Sequence, residues 1–295
     1  MRVTVAIQGI KGSFHQQVAQ NYFGENIEIV ECETFKEVTK QLKKGMVDYG
    51  VMAIENSIAG SLILNYALID ENQLNVLGEY FLKISLNLMT LSGQKIENIK
   101  EVHSHPIALL QCAKFLEKNK HIKVIESSDT AITAKRISEK KLKGIAALAG
   151  PIASEVYGLE ILAKEIQSVE SSITRFMIVE KIKTDIKTDI KTDKVNKASI
   201  KFELDNTPGG LATVLNVMNN CKLNLTKIQS MPIIEKPFQY SFFVDVVFEE
   251  YSYFEKAKSI LELMTTHFKL LGEYESGDMP LNQNIDNHDL ILMNV

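Results

Sequence analysis

Val3-Thr4-Val5-Ala6-Ile7 runs straight into Gln8-Gly9-Ile10-Lys11-Gly12-Ser13-Phe14, and this passage decides the fold class. The β-branched run predicts a strand. Gly9 and Gly12 let the chain turn, and Phe14, Val18 and Tyr22 follow at helical spacing. Strand, glycine turn and amphipathic helix form the first unit of an α/β region. The N–H groups of Gly12 and Ser13 would stand at the helix N-terminus, an arrangement that binds anions. A plain tight turn accounts for the same residues. The third glycine of a dinucleotide fingerprint is missing.

Working outward, the unit recurs. A strand near Ile27–Cys32 precedes a helix carrying Phe35, Val38 and Leu42, and the small apolar run Gly50–Ile54 reads as a strand buried on both faces. That strand ends in Glu55-Asn56-Ser57 before a helix with Ile58, Leu62, Tyr66 and Ile69 on one face. Ligands of open α/β sheets sit beyond the carboxyl ends of strands, where these polar residues fall. Capping of the helix explains one of the three. Leu82–Leu91 is strand-like, and Glu101–His103 opens a further unit in which Ser104 caps and Pro106 starts a helix. Gln111 lies two helical turns beyond Ser104, on the same side. Val124–Glu126 and Gly144–Ala149 read as strands, with Ser127-Ser128-Asp129-Thr130 capping the helix between them. Ser171 leads to Thr174-Arg175 and the buried strand Phe176–Val179, so a hydroxyl and a guanidinium stand at a strand mouth, suited to a small anion. Two such lobes imply a cleft between them.

Ile-Lys-Thr-Asp occurs three times over residues 182–193, a charge-alternating segment that cannot bury much surface and reads as a linker. After it the order is strand (Ala198–Leu204), helix (Leu211–Cys221), strand (Leu225–Pro232), strand (Ser241–Phe248), helix, strand (Lys269–Tyr274). The last helix repeats Phe254, Ala257, Leu261, Met264 and Phe268. This is the βαββαβ ferredoxin-like unit. The expected division is a two-lobed region 1–181 (lobe one about 1–75 plus the returning strand 175–181, lobe two about 76–174), a linker 182–196, a domain 197–275 and a tail 276–295 without an obvious core contribution.

Composition limits the function. With 295 residues, 45% apolar and 24% charged, the chain is an ordinary globular protein. A net charge of −4 with no basic stripe argues against nucleic acid. Cys32, Cys112 and Cys221 lack disulfide or zinc spacing, and no third ligand accompanies His103 and His105, so no metal is expected. No run reaches the ~18 apolar residues that span a bilayer, and Val3–Ile7 reads as a first strand, so a cytoplasmic protein is expected.

Four motifs in order carry a resemblance: Gly9-x-x-Gly12-Ser13-Phe14, Glu55-Asn56-Ser57-x-x-Gly60, Ser104-His105-Pro106-x-Ala108-Leu109-x-Gln111-Cys112 and Thr174-Arg175-Phe176. Together they are similar to those of prephenate dehydratase with a C-terminal ACT regulatory domain, over all but the repeat and the tail. The resemblance implies a two-lobed catalytic region like periplasmic binding proteins, joined to the ferredoxin-like domain. It implies conversion of prephenate to phenylpyruvate, water and carbon dioxide without cofactor or metal. Thr174 would donate to the leaving hydroxyl and Arg175 would hold the pyruvyl carboxylate. Asn56, Ser57, Ser104 and Gln111 would orient the substrate, with Phe176 beside it and the Gly12–Ser13 N–H groups on the other carboxylate. Glu55 would either point away or act as an acid of raised pKa. Pro208-Gly209-Gly210-Leu211-Ala212 resembles the family's effector motif, placing phenylalanine at Asn206–Leu211 and at Ile228, Gln229 and Ser230 across a homodimer or tetramer. Departures from the pattern are Ser172 for Asn, His15 for a hydroxyl residue, Ile107 for Gln, and Gln229-Ser230-Met231-Pro232 for Glu-Ser-Arg-Pro. Arogenate dehydratase differs only in the substrate's side chain, which the sequence leaves open. A non-catalytic small-anion binding protein and an ACT-led amino-acid sensor are the readings from other classes.

Overall fold

The computed structural model of the protein describes residues 2–169, 171–182 and 194–280. The repeat linker, from 183 to 193, and the tail from 281 onward lie outside the described residues.

The first lobe is built from β1 (Val3–Gln8), α1 (Phe14–Phe23), β2 (Ile27–Cys32), α2 (Phe35–Lys43), β3 (Tyr49–Asn56), the short β4 (Gly60–Ser61), α3 (Ile63–Glu71) and β5 (Leu74–Lys83). The second holds β6 (Asn87–Thr90), β7 (Glu101–Ser104), α4 (Pro106–Gln111), α5 (Ala113–Lys118), β8 (Lys123–Glu126), α6 (Thr130–Lys140), β9 (Ile145–Ala149), α7 (Pro151–Tyr157) and β10 (Glu160–Ala163). The chain then returns as β11 (Ile173–Lys181) into the first sheet, whose order is β2-β1-β3-β11-β5, while the second runs β10-β6-β9-β7-β8. The crossing therefore lies after Lys83, later than the expected boundary at 76, because Leu74–Lys83 pairs with β11 along its whole length. The Ser57 region is also not helical. It forms a turn and a hairpin with β4, and α3 begins only at Ile63.

The C-terminal domain comprises β12 (Lys197–Glu203), α8 (Gly210–Asn220), β13 (Asn224–Pro232), β14 (Tyr240–Val247), α9 (Tyr251–Met264) and β15 (Thr266–Tyr274) in the sheet order β13-β14-β12-β15. This is the ferredoxin-like βαββαβ arrangement. Phe268 belongs to β15 rather than the last helix, because His267 adopts a positive φ of 51° just after the helix stops.

Each face of the first sheet has its own core. Val5, Ile7, Val51, Phe176 and Ile178 pack forward with residues of the second lobe, including Leu86, Leu88 and Val102. Ala6, Met52, Ile54, Met177 and Val179 pack backward with Phe243, Leu271 and Tyr274 of the C-terminal domain. The domain is thus fused to the back of the lobe through apolar burial. The two pack tightly at Gly272, where an added Cβ would overlap the carbonyl oxygen and side chain of Val76 in β5. Among the described residues no helix is long and apolar enough to cross a membrane. Gly272→Val should destabilise the protein by about 1–3 kcal/mol by forcing the two sheets apart. Urea denaturation measures this, and a loss below about 0.5 kcal/mol would mean the contact is not a tight one.

Candidate active site

Side chains of a strand alternate between faces. In β11, Thr174 and Phe176 accordingly face the cleft between the lobes, and Arg175 faces the C-terminal domain. The neighbouring strand matches this only through an irregularity. Thr174 lies opposite Asn56 and Arg175 opposite Glu55, but Phe176 lies opposite Ala53. Ile54 is the extra residue of a β-bulge. It packs on the back face with Met52, and Glu55 stays on that side. The bulge brings Asn56 round to the face of Ala53, which strict alternation would deny it.

The cleft encloses a cavity of about 360 Å³, lined by Thr174, Phe176, Asn56, Gln111, Gln8, Ser13, His15, His105, Ser128, Asp129 and Thr130 together with apolar side chains. Asn56 is held by both ends of its amide. Its Oδ1 accepts the N–H groups of Ile58 (3.0 Å) and Ala59 (2.9 Å), and its Nδ2 donates to Thr174 Oγ1 at 2.9 Å. Ser172 Oγ accepts from Asn56 Nδ2 (3.3 Å) and Gln111 Nε2 (3.4 Å), tying the two lobes behind the cavity. The hydroxyl of Thr174 thus has an acceptor site filled and its proton available to the cavity.

Several expected residues lie elsewhere. Arg175 does not reach the cleft: it is buried and paired with Glu79 (Nε to Oε2, 2.6 Å) and Asp245 (Nη1 to Oδ2, 2.5 Å). Glu55 also points away, at 2.8 Å from Lys227 of the C-terminal domain, so it is no acid for the cleft. The anion cradle at Gly12 and Ser13 is closed, since Gly12 N–H donates to Gln16 Oε1 at 2.6 Å and Ser13 N–H to Ile10 O at 3.1 Å. Gly12 serves the lobe contact instead: with φ at 86°, its Cβ position lies 2.8 Å from the Tyr157 ring. Ser104 is fully buried, its hydroxyl donating to Leu148 O at 2.6 Å. Ser57 Oγ donates to Ser171 O and accepts from Ile173 N, fixing the strand mouth from outside the cavity.

The cavity also contains groups that sequence reasoning passed over. Asp129 was legible as a helix cap, and it does accept from Ala131 N–H (2.7 Å) and Ile132 N–H (3.2 Å). It stands beyond a strand end as Asn56 does, which was the available signal. Burial raises its pKa, against those two N–H groups and the nearby His105. His15 packs edge-on to Phe176, its buried Nε2 has no hydrogen-bond partner among the described residues, and burial lowers its pKa to about 4, leaving it neutral.

In the C-terminal domain, Asn206 and Leu211 line a small cavity of about 100 Å³ with Asp205, Thr207 and the 238–240 loop. Pro208, Gly209 and Gly210 only turn the chain into α8, while Ile228, Gln229 and Ser230 lie apart on the edge strand β13.

Residues 5–184 match the family model for prephenate dehydratase. The chain belongs to the prephenate dehydratase family. It is 36% identical over 277 residues to a bifunctional chorismate mutase/prephenate dehydratase of Aquifex aeolicus (strain VF5), covering 92% of this chain and 74% of that one. It is 35% identical over 285 residues to arogenate dehydratase/prephenate dehydratase 2, chloroplastic, of Arabidopsis thaliana, covering 92% and 73% respectively. The structure of prephenate dehydratase from Arthrobacter aurescens in complex with L-Phe superposes with a TM-score of 0.82 at 21% identity, covering 99% of this chain and 97% of that one. At that identity the likeness is one of fold.

The ion pairs behind Thr174 should make stability acid-sensitive. Burial alone would raise the Asp245 pKa, but Arg175, Ser199 and Tyr66 hold it below the ordinary range. Asp70 is likewise held low against burial by Lys201 and Lys269. A depressed folded pKa gives stability that is present above the unfolded value of about 3.9 and is lost as pH falls through the lower folded value. Urea unfolding should show stability falling steeply below about pH 4. Asp245→Asn should cost about 3–5 kcal/mol at neutral pH by leaving Arg175 underpaired, and should flatten the acid limb. Parallel pH profiles for the two proteins would exclude Asp245 as a source of it.

Proposed function

We propose that the protein catalyses the decarboxylating dehydration of prephenate, or of its amino-acid counterpart arogenate, in phenylalanine formation. The observation that carries this reading is the hydrogen bond from Asn56 Nδ2 to Thr174 Oγ1 inside the interlobe cavity. It fixes the threonine rotamer with an acceptor lone pair engaged, so the O–H points its proton at a bound ligand. In the reaction the bond from the ring carbon to the carboxylate breaks, and its electron pair enters the ring as carbon dioxide departs. The ring C–O bond breaks at the other end, and the departing hydroxide takes a proton from solvent and leaves as water. Thr174 stabilises the charge growing on that oxygen by hydrogen bonding, because threonine is too weak an acid to surrender its proton outright. Gln111 and Asn56 orient the substrate, and Phe176 with Ile84 and Leu86 gives an apolar bed for the ring. An apolar surround also strips water from the carboxylate that is lost.

The C-terminal domain serves as an ACT-type regulator for phenylalanine. Its physical link to the site is Arg175, next to Thr174 in sequence and held by Asp245 of that domain at 2.5 Å. The edge strand β13 offers a second copy a place to extend the sheet, which supports a homodimer with the effector near Asn206–Leu211. The three free, buried cysteines suit a reducing cytoplasm.

Purified protein mixed with prephenate or arogenate should form phenylpyruvate or phenylalanine with release of carbon dioxide, and product from neither would refute the reading. Thr174→Val should lower kcat by on the order of 10²–10³, as loss of one preorganised donor does. Near wild-type turnover in that variant would remove Thr174 from the mechanism. Saturating phenylalanine should raise Tm and inhibit; if it does neither, the regulatory half fails.

A further inference from the structure

We propose that Asp129 sets the choice between the two forms of the substrate, its carboxylate receiving an α-ammonium group, so that the site favours the amino acid arogenate over the keto acid prephenate. This rests on the dehydratase reading of the cavity and adds to it a residue that selects at the side-chain end of the substrate.

The charge inventory of the cavity is the first ground. None of the described residues that line it is a lysine or arginine, and the ionisable ones are His15, His105 and Asp129. Arg175, the cation expected to grip the pyruvyl carboxylate, is turned to the opposite face and neutralised by Glu79 and Asp245. His15 is neutral, with burial lowering its pKa to about 4. A keto dicarboxylate entering this space brings two negative charges to a carboxylate, with His105 as the titratable neighbour of Asp129. The amino form carries the same two carboxylates and one ammonium.

Geometry is the second ground. Asp129 Oδ1 is engaged by the N–H groups of Ala131 and Ile132 at the start of α6, which fixes the carboxylate plane. Oδ2 takes no hydrogen bond from the described residues. It reaches across the cleft towards Gly9 of the first lobe, 3.1 Å from where a Cβ there would stand. Gly9 has φ at 96° and no side chain, so no Cβ presses on Oδ2 from that side. A fixed, partly desolvated carboxylate with one open acceptor forms a strong charge-assisted hydrogen bond with an ammonium, and faces only repulsion from a keto oxygen. A site built around a buried polar partner discriminates steeply against the analogue that lacks it.

The test compares kcat/KM for arogenate and prephenate in the wild-type protein, Asp129→Asn and Asp129→Ser. Asparagine and serine are both good helix N-caps, so α6 keeps its start and folding is preserved. The wild-type protein should favour arogenate by at least about 10²-fold, and both variants should reduce that ratio by about 10²-fold, chiefly through a higher KM for arogenate. A wild-type preference for prephenate would overturn the proposal. So would variants that lose both activities equally with the ratio unchanged, which is the signature of a merely structural cap. Turnover of neither substrate by the wild-type protein refutes the dehydratase reading itself, and the assignment with it.

Discussion

The alternation of side chains along one strand governs this molecule. Residues 174 and 175 are adjacent in β11, so they must project to opposite faces of the first sheet. Thr174 enters the interlobe cavity, and Arg175 enters a buried polar cluster with Glu79, Asp245, Lys197, Ser199, Tyr66 and Tyr274. The same strand that lines the reaction space therefore anchors the C-terminal domain, with no intervening element.

The cluster is costly to bury, and its composition explains why it is tolerated. Two carboxylates, Glu79 and Asp245, meet two cations, Arg175 and Lys197, so charge is balanced. The remaining hydrogen-bonding capacity is filled by Tyr66 and Ser199 on Asp245, and by Ser276 and the Gly277 N–H on Glu79. Buried pairs survive when such bonds complete them. Outside it, Lys201 and Lys269 grip Asp70, and Lys227 grips Glu55. With Lys197 on Glu79, three acids of the first lobe are thus met by lysines of the C-terminal domain. Arg175 and Glu55, which contact the C-terminal sheet, are each a single residue from a cavity side chain, Thr174 and Asn56. The regulation proposed above would have a short path through these two residues.

Much of this was legible in the residues. Local periodicity located the strands and helices because each signal, such as Val3–Ile7 before Gly9 or Phe254 to Leu261 in α9, is confined to one element. Thr174, Asn56, Gln111 and Phe176 were found as cavity residues because strand ends and helix faces place them there. The differences have separate causes. Arg175 reads as chemistry because a cation beside a hydroxyl suits an anion, yet period-two alternation already separates it from Thr174, while Glu55 takes the first of its two expected places and points away from the cleft. The bulge at Ile54 was invisible, since it arises from pairing between strands far apart in sequence. The closed N–H groups at Gly12 and Ser13 depend on Gln16 and Ile10, whose local turn geometry no motif records. Ser276 and Gly277 looked like the start of a tail without core contacts, and instead complete the hydrogen bonding of Glu79 across a domain boundary.

The central claim is that the two faces of β11 divide the work, chemistry on the Thr174 side and domain anchoring on the Arg175 side. A crystal structure of a slow Thr174→Val variant with substrate bound tests it most directly. The account predicts the substrate's ring hydroxyl against the substituted side chain, with Asn56 and Gln111 within about 3 Å of its polar atoms. It also predicts the Arg175 guanidinium still seated on Glu79 and Asp245. A substrate carboxylate bound by Arg175 inside the cleft would contradict it.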